Sequence, residues 1–494
     1  MAEAPPTPPN HPTHRVSLSP GRINHIVSTL YPNHTANITP AQRGTSYNNR
    51  IYYLDISPSP TSTTDPTPVA PSSSSLQAVL KVSGHFFDHK KIQNEVASLL
   101  LLLRHCPEVP VPTVFAWSDD GRTISTYAGS VADTSYIDPI SEVDGVARTK
   151  RRSQGWILFS RLAGRMLVNA DLDGPSGSAI LRQLAAYNHA WRSKIPHLPM
   201  FGNIRQRTPA ETARSPDHPP ATSAMDEVYT IGGFLLAYRY DPSPITTKLD
   251  YYTYHLKDQV HRVMTSRAYD DVRCYLVPII ADFIDRDLPR LSCVEDDDGQ
   301  AKAVFSHMDF APRNVLVDAE EGVALKVTGM VDWEFAAFLP EMDEYTQAEV
   351  RQEDDWEKRH WRRMMKEVGK LGGSSPPLAD LGSILDPGPE SAQVFDELEW
   401  KEICMLWRLI DNVAPWYVME GSQTHEELAK ELDRAGKVVK DCIKELQSLI
   451  KKGKERSREN ERMRETRGDT VPLEEWDERL RRRQNNEDPT DGIS

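Results

Sequence analysis

Short apolar runs of the β type occupy the first third of this chain. β-Branched and aromatic residues dominate 50–56 and 78–82, and similar runs follow at 114–117, 123–126 and 155–160. Runs of this length and composition are typical of β-strands. The N-terminal third is therefore predicted to be rich in β-structure.

One helical pattern interrupts these strands. Residues 90–105 carry apolar side chains at helical spacing, with Glu95 on a neighbouring face, and prolines follow at once. Residues 57–75, between the first two strands, are rich in Ser, Pro and Thr and too polar to pack, so a flexible insertion is predicted there.

Helical periodicity dominates after residue 176. The predicted helices cover 178–193, 248–266, 270–290, 342–369, 396–420 and the charge-dense segment 426–483. Two short apolar runs, 315–317 and 327–331, interrupt the helical pattern and predict a small β-hairpin. The pattern as a whole predicts an α+β, bilobal chain with a small β-rich N-lobe and a larger helical C-lobe.

Four segments follow from this pattern. Residues 1–20 are rich in Pro, Thr and His and are predicted to be disordered, and 21–162 form the N-lobe. Residues 163–425 form the C-lobe. Residues 426–494 are predicted to be a charged helical tail, most simply a solvated helix, and are the candidate binding site for a protein partner.

Bulk properties exclude several classes of protein. The chain has 494 residues, which is too long for one compact core, and its net charge of −14 argues against a nucleic-acid or membrane-surface protein. Five scattered cysteines without a C-x-x-C pair argue against a disulfide framework or zinc site. No signal segment or membrane-length apolar run is visible, so a cytoplasmic protein is predicted.

The strongest candidate for chemistry is the stretch 305–317, which continues to Asp332. His307, Asp309 and Asn314 have the spacing H-x-D-x-x-x-x-N, and Asp332 follows the second run of the hairpin. This layout is that of a kinase-type phosphoryl-transfer site. Asp309 is the candidate base for an acceptor hydroxyl. Asn314 and Asp332 offer the hard oxygen ligands that Mg²⁺ prefers, and the hairpin would bring them to one site.

Lys81 is the candidate for holding nucleotide phosphates. It lies in the middle of a predicted strand, where a charge is costly, and Glu95 follows on the next helix. A strand lysine paired with a helix glutamate is a phosphate-holding arrangement, whereas the alternative is a lysine that reaches solvent from an edge strand.

Two further segments are candidates by position. The stretch 43–49 precedes the first strand and is either a loop over the phosphates or a simple turn, since its only glycine is Gly44. The stretch 159–162, with Ser160 and Leu162, ends an apolar strand where a two-lobed kinase has its adenine-binding hinge.

Together these motifs resemble the aminoglycoside phosphotransferase/choline kinase family, which has a bilobal protein-kinase-like fold. The resemblance runs from about Gly44 to Tyr345, and the stretches 307–314 and 331–335 are especially similar to fungal-type members. It implies an ATP-dependent, Mg²⁺-dependent phosphotransferase that acts on a small molecule.

The resemblance also implies a role for individual residues. Asp309 is implied as the base, Asn314 and Asp332 as magnesium ligands, and Lys81 with Glu95 as the phosphate-holding pair. Gly44 and Ser46 are implied to belong to the nucleotide loop.

Two residues depart from the family's pattern. Met308 stands where many members have glycine, and Arg313 adds a cation just before Asn314. Our hypothesis is that Arg313 has a catalytic role, because a guanidinium stabilises negative charge in the transition state.

Two other functions are open at this point. A protein kinase is disfavoured because Asp332 is followed by Trp-Glu rather than Phe-Gly. A pseudokinase-like binding or scaffold protein is disfavoured because all five residues of the phosphoryl-transfer site are present: Lys81, Glu95, Asp309, Asn314 and Asp332.

The acceptor is not specified by the sequence, since the catalytic core does not determine the substrate. It is expected between Asp309 and the helices after 340, where four aromatic residues either line a cleft or belong to the helix core: Trp400, Trp407, Trp416 and Tyr417.

Overall fold

A computed structural model gives the fold of most of the chain. It describes residues 11–42, 46–59, 75–85, 89–127, 129–132, 155–206, 229–231, 245–295, 302–319, 325–350, 356–377, 394–415, 418 and 423–467.

The N-lobe is built on one antiparallel sheet of seven strands. In chain order they are β1 (His34–Pro40), β2 (Asn49–Pro58), β3 (Leu76–Ser83), β4 (Val114–Ser118), β5 (Thr123–Thr126), β6 (Gly129–Ala132) and β7 (Trp156–Ser160), and their order in the sheet is β1-β2-β3-β7-β4-β5-β6. Helix α1 (Pro20–Leu30) covers one part of the sheet, and α2 (His89–His105) lies between the sheet and the C-lobe.

The C-lobe consists of helices around two small sheets. Its helices are α3 (Asn169–Asp173), α4 (Gly177–Lys194), α5 (Lys248–Thr265), α6 (Asp270–Arg286), α7 (Asp343–Val350), α8 (Lys358–Lys370), α9 (Glu397–Val413) and α10 (His425–Arg467). The sheets have the orders β13-β12-β8 and β10-β9-β14-β11, made from β8 (Arg165–Met166), β9 (Gly202–Gln206), β10 (Tyr229–Ile231), β11 (Val304–Ser306), β12 (Val315–Asp318), β13 (Lys326–Met330) and β14 (Ala337–Leu339). The prediction of an α+β chain with a β-rich N-lobe and a larger helical C-lobe is confirmed.

The predicted hairpin of the C-lobe is present. Strands β12 and β13 pair antiparallel, with Val315 opposite Met330 and Asp318 opposite Lys326. Strand β8 adds to the other edge of β12. Gly164 immediately precedes β8 and has φ of +104°, and a Cβ there would lie 2.6 Å from the Val317 carbonyl oxygen, so the close approach requires glycine.

The prediction of a disordered N-terminus is wrong for its second half. Residues 1–10 lie outside the described part of the chain, but residues 11–19 form turns and lead into α1. Val16 is 4% exposed and packs with Ile23 and Ile26 of that helix in the N-lobe core. Burial of these apolar side chains holds the segment in place.

The prediction of a solvated tail is also wrong for most of α10. Leu432, Val439 and Leu446, seven residues apart, are buried against α9 in the C-lobe core. An apolar stripe at this spacing lies along one face of a helix, whatever the charge of the other faces.

The predicted insertion falls largely outside the described residues. Strand β2 continues to Pro58, so the polar tract begins later than predicted, and 60–74 are not described.

Among the described residues, no helix is both long enough and apolar enough to cross a membrane.

Candidate active site

Asp309 lies in the loop between β11 and β12 and is held by its own motif. The side-chain nitrogen of Asn314 donates to the Asp309 carbonyl oxygen at 2.7 Å and to its carboxylate Oδ2 at 2.9 Å. Arg313 forms an ion pair with the other carboxylate oxygen, Oδ1. The base and the amide ligand predicted from the sequence are therefore in direct contact.

The loop rests on a buried histidine. His307 lies with its Nε2 3.1 Å from the Val331 carbonyl oxygen, and its ring packs on Trp333 with centroids 4.2 Å apart. Its backbone N–H donates to Glu344 Oε1 at 2.7 Å. Burial lowers the pKa of His307, so the ring is held neutral and its role is to position the loop.

Asp332 follows β13 and lies close to Asn314. The Val331 N–H donates to the Asn314 carbonyl oxygen at 2.9 Å, which ties the two predicted metal ligands together through the backbone. Asp332 itself has φ of 66°, a left-handed conformation that aspartate tolerates better than most residues. Its side chain is 30% exposed, so it lies at the edge of the cleft between the lobes.

Lys81 crosses that cleft from β3. Its Nζ lies 2.9 Å from Glu95 Oε1, 2.7 Å from Asp332 Oδ1 and 2.7 Å from Glu334 Oε2. The predicted pairing with Glu95 on α2 is present. Because an ammonium group has three donors, all of them are engaged by carboxylates.

Sequence reasoning missed two members of this cluster. Glu334 is fully buried and contacts a second buried lysine, Lys91, at 3.3 Å. Asn49 donates to Glu334 Oε2 at 2.8 Å, and Asn94 donates to the Glu334 carbonyl oxygen at 3.0 Å. The only signal for Glu334 was its place in the D-W-E motif, and Lys91 gave none.

The electrostatics of the cluster follow from burial and from an excess of acids. Two lysines face three carboxylates, those of Glu95, Asp332 and Glu334, so the fully ionised cluster carries a net charge of −1. Burial raises the pKa of Glu95 to about 7, against the opposing effect of Lys81. Burial and Glu334 likewise raise the pKa of Asp332. The pKa of Lys81 is raised because the three carboxylates outweigh its burial.

The predicted nucleotide loop is described only in part. Gly44 lies outside the described residues. Ser46 accepts a 3.4 Å hydrogen bond from the Asn49 side chain, and Asn48 donates to Glu334 Oε1 at 3.3 Å. The end of this segment is therefore anchored to the Lys81 cluster.

The predicted hinge connects the two lobes. Ser160 ends β7, and its hydroxyl accepts a hydrogen bond from the Thr113 N–H at 2.9 Å. Leu162 follows and is half-buried near Gly329 of β13. The chain then turns at Gly164 into β8 of the C-lobe, so the stretch lies where a hinge was predicted.

The predicted aromatic cleft is a helix core in its described part. Trp400 and Trp407 are each 8% exposed on α9, and Trp407 packs edge-on to Tyr252 of α5. Trp416 and Tyr417 lie outside the described residues. Trp400 and Trp407 are therefore core residues, which is one of the two alternatives that the sequence left open.

The donor set fits a magnesium ion. The Asn314 side-chain nitrogen directs both its hydrogens to Asp309, which leaves the side-chain carbonyl oxygen of Asn314 available as a metal ligand. Asp332 uses Oδ1 for Lys81 and makes no hydrogen bond through Oδ2 within the described part of the chain. One amide oxygen and one carboxylate oxygen match the few protein ligands that Mg²⁺ takes beside phosphate and water.

No family model matches the chain, and no curated protein sequence matches it. Solved structures do match. The ADP-bound aminoglycoside phosphotransferase APH(2'')-Ib is 11% identical with a TM-score of 0.45, over 86% of this chain and 99% of that chain. The complex of APH(2'')-IIa with streptomycin and ATP is 11% identical with a TM-score of 0.44, over 85% and 97%. A Plasmodium vivax ethanolamine kinase is 8% identical with a TM-score of 0.38, over 84% and 83%.

These proteins come from the family that the sequence resembles. Each has a TM-score below 0.5 with this chain and is at most 11% identical to it.

Proposed function

We propose that this chain is an ATP- and Mg²⁺-dependent phosphotransferase that transfers the γ-phosphoryl group to a hydroxyl or amine of a small molecule. The observation that carries the proposal is the meeting of three distant segments at one cleft. Lys81 of the N-lobe contacts Asp332 at 2.7 Å, and Asp332 is tied by the backbone of Val331 to Asn314, which holds Asp309.

This arrangement supports transfer of the γ-phosphoryl group to an acceptor hydroxyl. The acceptor hydroxyl gives its proton to Asp309, its oxygen forms a bond to the γ-phosphorus, and the bond from that phosphorus to the β-bridging oxygen breaks to release ADP. Mg²⁺, when bound, neutralises charge on the phosphates. Asp309 is suited to its part because Asn314 and Arg313 fix the carboxylate in position.

Nucleotide binding requires one exchange of partners. Lys81 has no donor left for a phosphate, since Glu95, Asp332 and Glu334 occupy all three. If Asp332 turned to a metal ion, Lys81 would gain one free donor for a phosphate oxygen. The proposal therefore predicts that magnesium and nucleotide bind together and depend on each other.

Calorimetric titration with ATP, with and without Mg²⁺, tests this. Wild type is expected to bind ATP tightly with Mg²⁺ and at least tenfold more weakly without it, and Asp332→Asn is expected to lose that difference. Asp309→Asn is expected to bind ATP like wild type. The exposed variant Glu397→Gln, on the outside of α9, is the control for handling and concentration.

The acceptor is sought by coupling ADP release to a panel of alcohols and amines. Streptomycin and ethanolamine, the compounds named with the structural neighbours described above, form its first members, and a generic protein substrate tests for a protein kinase. Failure of wild type to bind ATP would instead favour the scaffold function.

A further inference from the structure

A cluster of three potential metal ligands lies on the C-lobe, apart from the site described above. Asp173 ends α3, Glu357 stands immediately before α8, and His360 lies in the first turn of α8. One donor atom from each of these side chains lies within 4.8 Å of the others. The His360 Nε2 is 3.4 Å from Asp173 Oδ1 and 3.9 Å from Glu357 Oε2.

His360 is the unusual member of the cluster. Its side chain is fully buried, whereas those of Asp173 and Glu357 are 45% and 46% exposed. Neither ring nitrogen has a hydrogen-bond partner within the described part of the chain. A buried polar group without a partner is unfavourable and rare in native proteins, so a ring aimed at two carboxylates calls for a ligand between them.

The charges around the cluster leave room for a cation. Arg359 lies 2.7 Å from Asp173 Oδ2 and 2.7 Å from Glu357 Oε2. It holds both carboxylates in place and leaves Asp173 Oδ1 facing the histidine. Arg363, which also faces this side of α8, donates to Ser178 Oγ at 2.8 Å. With Arg363 counted as well as Arg359, the two carboxylates and two guanidinium groups carry no net charge, so the site is favoured by Asp173 Oδ1 and the His360 ring rather than by an excess of negative charge.

We propose that Asp173, Glu357 and His360 bind a first-row divalent transition-metal ion such as Zn²⁺. Two ligand atoms that each lie roughly 2.1 Å from a tetrahedral ion are about 3.4 Å apart, so small shifts bring all three atoms into range. Imidazole among the ligands selects such ions over Mg²⁺ and Ca²⁺, which prefer oxygen alone. A water molecule completes the coordination.

The ion would fasten α3 to the start of α8, next to the catalytic loop. Trp356, the residue before Glu357, donates its indole N–H to the Phe310 carbonyl oxygen at 2.7 Å, and Phe310 follows Asp309. The role of the ion is structural, and it stabilises the surface on which that loop rests. This role does not depend on the proposed function.

Titration with Zn²⁺ and Co²⁺ tests the site in the full-length protein. The variants Asp173→Asn and Glu357→Gln change only exposed side chains, and Glu397→Gln, which removes another exposed carboxylate from α9, is their control. Asp332→Asn separates this site from the active-site carboxylates. Binding is followed by calorimetry with Zn²⁺ and by the visible absorption of Co²⁺.

Wild type, Glu397→Gln and Asp332→Asn are expected to share one Zn²⁺ site that excess Mg²⁺ does not compete for. Asp173→Asn and Glu357→Gln are expected to bind Zn²⁺ there at least tenfold more weakly. Zn²⁺ is expected to raise the Tm of wild type and not that of these two variants. His360→Gln is expected to abolish the Co²⁺ band from imidazole ligation, and if it does not fold, the two carboxylate variants decide. Equal Zn²⁺ affinity in all variants would overturn the proposal and leave an ordinary ion-pair cluster.

Discussion

Lys81 and Asp332 are joined across the cleft between the lobes, with Nζ 2.7 Å from Oδ1. The lysine comes from the middle of an N-lobe strand and the aspartate from the end of a C-lobe hairpin, 251 residues later. Lys81 is 5% exposed and its contacts with Glu95 and Glu334 are buried, whereas Asp332 is 30% exposed at the edge of the cleft. The two lobes are therefore held to each other by a buried network of charges.

Removal of Lys81 is expected to destabilise the protein strongly. In Lys81→Met three carboxylates remain with Lys91 as their single lysine partner, and a broken buried ion pair of this kind costs about 3–5 kcal/mol. The measurement is urea unfolding at pH 7.5. Lys401→Met, which removes an exposed partner of Glu397, is the control and is expected to change stability little. A loss in Lys81→Met no larger than in the control would contradict the buried network.

Arg313 is expected to act on turnover rather than on nucleotide affinity. Its guanidinium pairs with the Asp309 carboxylate and lies beside the site of phosphoryl transfer under the proposed function. Arg313→Ala is expected to lower kcat about tenfold or more, because a cation near developing negative charge is lost, with ATP affinity little changed. Arg313→Lys keeps the charge and is expected to recover part of the rate. An unchanged kcat in Arg313→Ala would refute a catalytic role.

Local spacing made part of the site predictable from the sequence. Asp309 and Asn314 are five residues apart in one loop, and the two runs of the hairpin between Asn314 and Asp332 are plain in the apolar pattern. Lys81 and Glu95 are predictable because a charge in a strand needs a partner and the next helix offers one. All of these contacts are present.

Contacts between distant segments could not be predicted in the same way. Glu334 meets Lys91 and Asn49 only because α2 and the start of β2 lie against the segment after Asp332. Nothing in the local pattern marks Lys91, which reads as one polar residue on an amphipathic helix. The charged composition of α10 likewise concealed an apolar stripe, because composition averages over faces that a helix separates.

Met308 is expected to be strained where it stands. It has φ of 66°, in the left-handed region that glycine adopts freely, and it lies between His307 and Asp309. Substitution by glycine also removes a half-buried side chain, so the matched comparison is with Met308→Ala. Met308→Gly is expected to be more stable than Met308→Ala by about 1 kcal/mol in urea unfolding. The opposite order would show that the loop does not require a left-handed residue.

Glu95 is expected to make stability depend on pH. Burial raises its pKa from 4.5 to about 7 in the folded protein, so the folded state binds more protons than the unfolded state between these values. Stability from this group is therefore fully present below about pH 4.5 and declines as pH rises towards 7. At about 1.4 kcal/mol for each unit of pKa, the decline is on the order of 3 kcal/mol.

The comparison of wild type with Glu95→Gln isolates this effect, because glutamine does not titrate. Urea unfolding at pH 5 and pH 8 is expected to show a larger loss of stability in wild type than in the variant. Glu397→Gln, with an exposed carboxylate, is expected to follow wild type at both pH values. Equal losses in wild type and Glu95→Gln would mean that Lys81 holds the Glu95 carboxylate ionised throughout this range, and would contradict the raised pKa of Glu95.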